Sequence, residues 1–452
     1  MSKYYHFIGI GGIGMSGIAQ LLLDSGSKVS GSDLRENRIT QQLASRGAKI
    51  FLGHSAQNIS GQDAVVYSSA ITEDNPEVIQ AKALGIPLLK RAEALAQLMQ
   101  EKTAITVAGS HGKTTATSLI SYMLMVAGFC PTVAIGGILK NIKTNACLGA
   151  GEFFVAEADE SDGSFLNYNP KYSIITNIDR EHLDYYHDFS RELDCFGQFI
   201  KRTKAGGCVF ACSDDLNLLN LMRSYEGKRV FFGFNDPADI SAKNITFNGL
   251  LCDFDVYFKD KFISRFHLAL GGRHNISNAL GVIGLGLELG IDLKHIRSSL
   301  AGYQGAGRRL EVKFRSEKYL VIDDYAHHPS EIKATLAAIA NLEVKRKIVV
   351  FQPHRFSRTQ LLLDDFAGAF TRADYLIITD IYAASEKPIE GVNAPALLEK
   401  LKKADPSKEV LYLPKEEILL HLLVMIQEGD LVITLGAGDI VRVSDALAQK
   451  LK

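Results

Sequence analysis

Short apolar runs alternate with amphipathic segments along most of this 452-residue chain. Several of the runs have the length and composition of buried strands: HFIGI, KVSGSD, AVVYSS, AITVAGS, FFVAEAD, YSIITNI, GGCVFAC, IVVFQ, YLIITDI and DLVITLGAG. Continuous apolar strands that alternate with helices are typical of parallel sheets covered by helices on both faces. The pattern therefore predicts an α/β fold.

The chain is too long for one ordinary hydrophobic core, which favours several domains. A charged run at residues 100–103 precedes a new strand, and the glycine-rich segment GYQGAGRR at residues 302–309 precedes another. Between these two borders, residues 240–268 show the alternation of a small antiparallel addition. We therefore predict three domains, at residues 1–101, 102–307 and 308–452.

Composition narrows the classes of function. The formal net charge of −1 argues against a general nucleic-acid-binding surface. The chain lacks the roughly 18 uninterrupted apolar residues that a membrane span needs. Its six cysteines contain no C-x-x-C pair, and we interpret all six as small core residues in a reducing compartment. We therefore expect a cytoplasmic protein with no nucleic-acid partner.

A glycine-rich turn follows the first predicted strand. It contains Gly9, Gly11, Gly12 and Gly14, and Asp33 closes the next strand. Glycines at this spacing let a pyrophosphate approach a helix N-terminus, and the acidic residue can accept hydrogen bonds from ribose hydroxyls. The turn indicates a diphosphate ligand and does not separate NAD from a UDP-sugar. A turn that only packs strand on helix is the alternative interpretation.

A second glycine-rich loop lies between the strand AITVA and a predicted helix. It comprises Gly109, Ser110, His111, Gly112, Lys113, Thr114 and Thr115. Its backbone N–H groups can bind phosphates, Lys113 can reach the β- and γ-phosphates, and a threonine hydroxyl can ligate Mg²⁺. The loop is two residues shorter than the usual G-x-x-x-x-G-K-[ST] pattern. Its position between strand and helix still predicts an ATP site.

Acidic residues follow the next predicted strand, FFVA. They are Glu157, Asp159, Glu160 and Asp162. Sites in α/β proteins form where parallel strands end, and Mg²⁺ prefers oxygen ligands, so we expect Mg²⁺ between these carboxylates, Thr114 and ATP. His182 lies after the following strand, although imidazole suits softer ions. A solvated acidic loop and a structural histidine are the alternatives.

An ATP loop and a diphosphate turn in one chain indicate an enzyme that uses ATP on a nucleotide-bearing substrate. The motifs GSHGKTT, EADESDGSF, TNIDREHLD, GRHNISNAL, GAGRRLE, DDYAHHPSEI and FQPHRFSRT, with GIGGIGMSGIA and SGSD, resemble those of the Mur ligases. The resemblance covers essentially the full chain. It implies an N-terminal Rossmann-like UDP-binding domain, a central P-loop ATPase domain, and a C-terminal Rossmann-like domain that closes over the site.

The resemblance also implies a reaction and its partners. The expected activity joins L-alanine to the lactyl carboxylate of UDP-N-acetylmuramic acid through an acyl phosphate, with ATP and Mg²⁺, in peptidoglycan precursor synthesis. The expected UDP-sugar contacts are the glycine-turn residues with Asp33, His54, Ser68 and Ser69. The expected adenine contacts are His274, Asn275 and Asn278.

For the reaction itself, the resemblance implies that Mg²⁺ is held by Thr114, Glu157 and, at a second ion, His182. Lys113 and His182 would act in catalysis, and Arg309 and Asp324 would complete the nucleotide site. The expected contacts to the amino acid and the acyl group are Tyr325, His327, Arg355 and Arg358.

Local structure alone could also explain some of these residues. Arg355 and Arg358 could share one solvated helix face, and Asn275 and Asn278 could cap a helix. Several Mur ligases carry a carbamylated lysine about fifteen residues beyond the metal-binding histidine. Gly197 occupies that position in this chain, which argues against the modification here.

Three other functions fit parts of the sequence. A related ligase could attach a whole tripeptide to the same sugar, or could be a folate polyglutamate synthetase. An NAD-dependent oxidoreductase would explain the first glycine turn and leave GSHGKTT and EADESDG unexplained. A non-catalytic nucleotide sensor is disfavoured because a lysine, carboxylates and a histidine stand at the expected phosphate and metal positions.

Overall fold

The computed structural model of the chain describes residues 2–68, 70–384 and 386–452. It contains three β-sheets whose strands are joined mainly by helices, which confirms the α/β prediction. The chain forms two compact units, one of residues 1–243, 255–266 and 277–304 and the other of residues 244–254, 267–276 and 305–452. Within the described residues, no helix is both long and apolar enough to cross a membrane.

The first sheet has five parallel strands in the order β3-β2-β1-β4-β5. Its strands are β1 (Tyr4–Ile8), β2 (Lys28–Asp33), β3 (Lys49–Leu52), β4 (Ala64–Tyr67) and β5 (Leu88–Lys90). Its helices are α1 (Ile13–Asp24), α2 (Arg38–Ser45), α3 (Pro76–Ala83) and α4 (Arg91–Met99). Because all five strands are parallel, the glycine turn after β1 and the residues that follow the other strands share one edge of the sheet.

The second sheet has ten strands in the order β15-β14-β13-β12-β11-β10-β6-β9-β7-β8. Its strands are β6 (Thr103–Ala108), β7 (Thr132–Leu139), β8 (Thr144–Cys147), β9 (Phe153–Glu157), β10 (Tyr172–Ile175), β11 (Cys208–Cys212), β12 (Arg229–Gly233), β13 (Ile240–Asn248), β14 (Leu251–Phe258) and β15 (Lys261–Leu268). Two-residue turns join β13 to β14 and β14 to β15. Turns this short can connect only antiparallel strands, so β13, β14 and β15 form the predicted antiparallel addition.

The helices of this region are α5 (Lys113–Val126), α6 (Leu183–Tyr186), α7 (Phe189–Lys201), α8 (Leu216–Met222), α9 (Arg273–Glu288) and α10 (Leu293–Ala301). Strand β6 lies at the centre of the parallel part, between β9 and β10. The loops that follow these three neighbouring parallel strands therefore lie side by side.

The third sheet has six strands in the order β16-β17-β21-β18-β19-β20, and only β16 runs antiparallel to its neighbour. Its strands are β16 (Glu311–Arg315), β17 (Tyr319–Asp324), β18 (Arg346–Phe351), β19 (Tyr375–Ile378), β20 (Glu409–Tyr412) and β21 (Asp430–Leu435). Its helices are α11 (Pro329–Ala338), α12 (Phe356–Leu361), α13 (Leu363–Ala367), α14 (Ala394–Ala404), α15 (Lys415–Met425) and α16 (Val441–Lys450).

The expectation that all six cysteines are core residues is wrong for two of them. Each cysteine carries a free thiol, but only Cys195, Cys208, Cys212 and Cys252 are buried. Cys130 is exposed because it lies in the turn between α5 and β7 with a left-handed backbone, φ +46°. Cys147 is half-buried because it ends β8, the edge strand of its sheet.

The third sheet packs its central strands against α15 and α16. Val321, Ile348 and Val432 from the strands form one apolar cluster with Leu422 and Leu447 from the helices. We expect Leu422→Ala to destabilise this unit by about 2–5 kcal/mol, because the change leaves a cavity in a fully buried cluster. Calorimetric thermal unfolding measures the effect.

Leu420→Ala on the same helix is the matched control, since the Leu420 side chain is 70% exposed. Its expected effect is within about 0.5 kcal/mol. If the two variants had equal melting temperatures, α15 would not be packed on the sheet as described.

Candidate active site

The glycine turn places a helix N-terminus beside Asp33. Gly9 donates its backbone N–H to the carbonyl of Ser32, and Gly12 is the N-cap of α1. The Asp33 carboxylate accepts the N–H of Gly11 at 2.9 Å. The turn thus keeps the first N–H groups of α1 and one carboxylate together, an arrangement that fits a diphosphate and a ribose.

His54 belongs to a buried polar network behind this turn. Its Nδ1 lies 2.9 Å from the hydroxyl of Ser32, which donates to the Glu77 carboxylate at 2.5 Å. The Glu77 side chain is fully buried. Burial favours a raised pKa for Glu77, but hydrogen bonds from His6 and Ser32 outweigh it and lower the pKa. Sequence reasoning missed Glu77, because a single acidic residue in a short helix has the pattern of a solvated face.

The two serines expected to contact the UDP-sugar follow β4. Ser68 lies at the same sheet edge as the glycine turn, and a Cβ atom added to Gly9 would be 3.8 Å from its hydroxyl. Ser69 lies outside the described residues.

The second glycine-rich loop connects β6 to α5. Gly112 is the N-cap of α5 with φ +85°, and Thr114 and Thr115 are buried in the first turn of the helix. Hydrogen bonds to the loop that follows β10 hold it in place: the N–H of His111 donates to Asn177 at 2.9 Å, and the N–H of Asp179 donates to the Ser110 hydroxyl at 2.8 Å. The conformation of the loop is therefore held by side chains of the segment after β10.

Lys113 lies at the centre of this site. Its ammonium donates to the carbonyl of Gly109 at 2.6 Å, to the carbonyl of Ser110 at 3.1 Å and to Glu160 at 2.7 Å. Burial favours a lowered pKa for this ammonium, but the carboxylates of Glu160 and Asp159 outweigh it and raise the pKa. Lys113 is therefore charged at neutral pH, which suits it to bind a phosphate.

The predicted acidic cluster is not a solvated loop. Glu157 ends β9 beside the ATP loop and accepts the N–H of Gly136 at 2.7 Å. Asp159 forms an ion pair with Arg91 at 2.7 Å. Burial favours a raised pKa for Asp159, but Arg91 and Lys113 outweigh it and lower the pKa well below the usual range. Asp159 and Glu160 thus lie beside Lys113, whereas the contact of Glu157 is to Gly136.

A second group of metal-ligand type surrounds His182, whose backbone is left-handed at φ +53°. Its Nε2 is 3.6 Å from Glu160 and 3.5 Å from Glu181, and one ligand atom from each of the three residues lies within 4.8 Å of the others. Burial favours a lowered pKa for His182, but the hydrogen bond to Glu160 and the charge of Glu181 raise it.

The donors present fit a divalent cation. The second carboxylate oxygen of Glu160 is buried and makes no hydrogen bond within the part of the chain that the structure describes. Glu160 and Glu181 offer carboxylate oxygens, as does Glu157, and Thr114 offers a hydroxyl, which are the donors that Mg²⁺ prefers. Sequence reasoning gave no role to Glu181 and left Glu160 without a specific one. Their positions after adjacent strands were the signal available.

The residues expected to face adenine lie in the first turns of α9. They are inside the helix, which starts at Arg273, so Asn275 and Asn278 are not its N-cap. Asn275 donates to the carbonyl of Gly271 at 2.7 Å. Asn278 lies against the ATP loop: a Cβ atom added to Gly112 would be 2.5 Å from its side-chain oxygen. His274 is half-buried.

In the other unit, the segment after Gly305 folds back onto β17. Arg309 lies over the Tyr325 ring at 5.1 Å and is 3.9 Å from Glu331. Asp324 accepts the N–H groups of Leu310 at 2.6 Å and Ala326 at 2.9 Å. Burial raises the pKa of Asp324 to about 6. Asp324 thus positions the backbone next to Arg309.

His327 lies in the loop after β17, and the two arginines lie at the start of α12, which follows β18. The rings of His327 and His354 are 5.6 Å apart, and Arg358 is 3.2 Å from Nδ1 of His354. Burial, with the charges of His327 and Arg358, lowers the pKa of His354 to about 3. Arg355 is the N-cap of α12 with φ +71°, so the two arginines do not simply share one helix face.

Gly197, fifteen residues beyond His182, lies in α7. A Cβ atom there would be 3.6 Å from Leu221. The nearby Lys201 is exposed. The absence of a carbamylated lysine stays a prediction.

Comparisons with known proteins identify the family. Sequence models described as "Mur ligase family, catalytic domain", "Mur ligase middle domain" and "Mur ligase, glutamate ligase domain" match residues 4–103, 107–286 and 308–438. The UDP-N-acetylmuramate–L-alanine ligase of Syntrophus aciditrophicus is 46% identical over 100% of this chain and 94% of its own length. The enzyme of the same name from Aquifex aeolicus is 47% identical over 97% of this chain and 95% of its own length.

Solved structures agree. The UDP-N-acetylmuramate–alanine ligase of Thermotoga maritima superimposes with a TM-score of 0.86 at 30% identity, covering 99% of both chains. A murein peptide ligase from Psychrobacter arcticus has the same fold, with a TM-score of 0.74 at 23% identity over 100% of this chain and 99% of its own. The resemblance inferred from the motifs is therefore confirmed, and this chain belongs to the Mur ligase family.

Proposed function

We propose that this chain is an ATP-dependent ligase that joins L-alanine to the lactyl carboxylate of UDP-N-acetylmuramic acid. The observation that carries the proposal is its full-length similarity to enzymes named for this reaction. The reaction adds the first amino acid to the peptidoglycan precursor, and so serves cell-wall formation, cell shape and cell division. A cytoplasmic location stays a prediction.

The three regions would divide the substrates between them. Residues 1–101 would bind the UDP-sugar through the glycine turn, Asp33, His54 and Ser68. Residues 102–307 would bind ATP through the loop at residues 109–115. Residues 308–452 would bind L-alanine and the acyl group through Tyr325, His327, Arg355 and Arg358. Arg309 and Asp324 would complete the nucleotide site.

The buried ion pair of Lys113 and Glu160 supports a phosphoryl-transfer step. An oxygen of the lactyl carboxylate would form a bond to the γ-phosphorus of ATP as the bond to the leaving ADP breaks. Lys113 would neutralise charge on the transferring group. The alanine amine, after loss of a proton, would attack the acyl carbon and release phosphate. The acyl phosphate hydrolyses in water, so it must be shielded until the amine attacks.

The metal-ligand groups support a divalent cation beside this step. Thr114 and Glu157 would hold one Mg²⁺, and His182 with Glu160 and Glu181 would hold a second. When bound, Mg²⁺ supplies positive charge to the phosphate oxygens.

The second candidate is the ligase that attaches a tripeptide to the same sugar. The Psychrobacter murein peptide ligase shares the fold only, at 23% identity. Enzymes named for the L-alanine reaction match this chain over its full length at about twice that identity. The NAD-dependent oxidoreductase is disfavoured, because a hydride transfer has no use for the Lys113 loop.

ADP release from Mg-ATP and UDP-N-acetylmuramic acid, with and without L-alanine, tests the proposed reaction. We expect turnover only when all three substrates are present, because the amine must consume the acyl phosphate. Turnover with a tripeptide in place of L-alanine would move the function to the second candidate. A change in nicotinamide fluorescence without ADP release would contradict both ligase assignments.

Lys113→Ala should lower turnover by about a thousandfold, because the phosphoryl group loses its principal cationic partner. UDP-sugar affinity, measured by calorimetry, should stay within about twofold. The variant leaves Glu160 buried without its partner, which destabilises the fold. The double variant Lys113→Ala/Glu160→Gln should therefore melt at a higher temperature than the single variant and remain inactive. Near-normal turnover of Lys113→Ala would refute the role of Lys113.

Glu157→Gln should raise the Mg²⁺ concentration needed for half-maximal turnover by about tenfold or more, because an anionic ligand becomes neutral. The amide oxygen of Gln can still accept the N–H of Gly136, so the loop should keep its structure. A Mg²⁺ titration of ADP release measures the effect. Glu152→Gln, at an exposed position before the same strand, is the control. An unchanged Mg²⁺ requirement would remove Glu157 from the metal site.

A further inference from the structure

Arg91 lies between the two nucleotide sites of the first unit. It opens α4 directly after β5, at the sheet edge that also carries the glycine turn. Its guanidinium donates to Asp159 at 2.7 Å, in the acidic loop beside Lys113. No motif in the sequence pointed to this residue.

The other face of the guanidinium lies against α1. A Cβ atom added to Gly14 would be 3.0 Å from Nη1 of Arg91 and 3.2 Å from its Cδ. Gly14 is the second residue of α1 and the last glycine of the turn. The absence of a side chain at Gly14 therefore lets Arg91 pass along the start of the helix.

Most of the N–H donors of the Arg91 side chain have no hydrogen-bond partner among the described residues. A guanidinium carries five N–H donors. Within the described part of the chain, the guanidinium of Arg91 donates one hydrogen bond, to Asp159. The side chain of Arg91 is 26% exposed, so its remaining donors can reach a ligand while another donor holds Asp159. A purely structural role in holding Asp159 therefore does not account for the remaining donors of Arg91.

We propose that Arg91 binds an anionic group of the UDP-sugar and links its occupancy to the ATP loop through Asp159. This inference rests on the proposed function, and names a ligand contact that the family resemblance did not supply. The shared chemistry is an anionic oxygen, either of the diphosphate or of the lactyl carboxylate. Arginine suits both, because its planar fork can donate two parallel hydrogen bonds.

The link to the ATP loop follows from alternating charges. Arg91 contacts Asp159, and the next residue, Glu160, contacts Lys113. An anion that binds the remaining donors of Arg91 adds a second negative charge beside Asp159 and shares the positive charge of the guanidinium with it. The UDP-sugar can therefore change the field at Lys113 without touching it, and ATP turnover becomes sensitive to the presence of the sugar.

Binding of uridine, UDP, UDP-N-acetylglucosamine and UDP-N-acetylmuramic acid to the wild type and to Arg91→Ala tests the proposal. Calorimetry measures the nucleotides, and ligand-observed NMR measures uridine. We expect UDP affinity to fall about ten- to a hundredfold with uridine affinity unchanged, which identifies the diphosphate as the contact. If UDP and UDP-N-acetylglucosamine bind normally and only UDP-N-acetylmuramic acid is weakened, the contact is the lactyl carboxylate. Arg91→Lys should lose part of the affinity, since it keeps the charge without the fork.

Arg46→Ala is the matched control, because Arg46 is an exposed arginine paired with Asp24 in the same region. It should leave all four affinities unchanged. Unchanged affinity of Arg91→Ala for every nucleotide overturns the proposal, and so does an equal loss for uridine, which would indicate a disturbed fold. Failure of the proposed function is separate, since it would appear as an absence of wild-type turnover with L-alanine.

Discussion

The buried pair of Lys113 and Glu160 organises the central site. A carboxylate that is fully buried loses several kcal/mol of hydration, and this loss is offset only when a cation and further donors surround it. Lys113 supplies one cation, and its ammonium also fixes the carbonyls of Gly109 and Ser110. Removing Lys113 leaves the buried Glu160 carboxylate without its nearest cation. The phosphate loop and the acidic loop therefore form one electrostatic unit.

The order of strands makes this unit possible. Strand β6 pairs with β9 on one side and β10 on the other, all parallel. The ATP loop, the acidic loop and the segment with Glu181 and His182 consequently leave the sheet at the same edge. Short loops after the strands are therefore enough to bring these side chains into contact with one another. Polar groups from distant parts of the sequence are thus held together by the backbone hydrogen bonds of neighbouring strands.

The sequence predicted the features that depend on residues close together in the chain, namely the strands and the glycine-rich loops. Apolar runs located the strands, and the spacing of glycines and Lys113 located the loops, because strand burial and loop conformation depend on adjacent residues. The exposure of Cys130 was not predictable, since composition does not reveal that a cysteine falls in a turn. The pairing of Glu160 with Lys113 was out of reach as well, because it depends on which strands become neighbours. Glu77 and Arg91 resembled ordinary charged helix residues for the same reason.

The glycine turn shows why a motif can have two explanations at once. A Cβ atom added to Gly11 would be 2.8 Å from the Asp33 carboxylate and 2.7 Å from the Asn37 amide, and one added to Gly14 would crowd Arg91. Two of the glycines are therefore required by the protein's own side chains, as the packing interpretation holds. Yet the side chains that they admit are a carboxylate and a guanidinium, held at the start of a helix. Close packing of the turn is thus the means by which polar groups are brought to the place where a nucleotide would bind, and the packing and binding interpretations describe the same contacts.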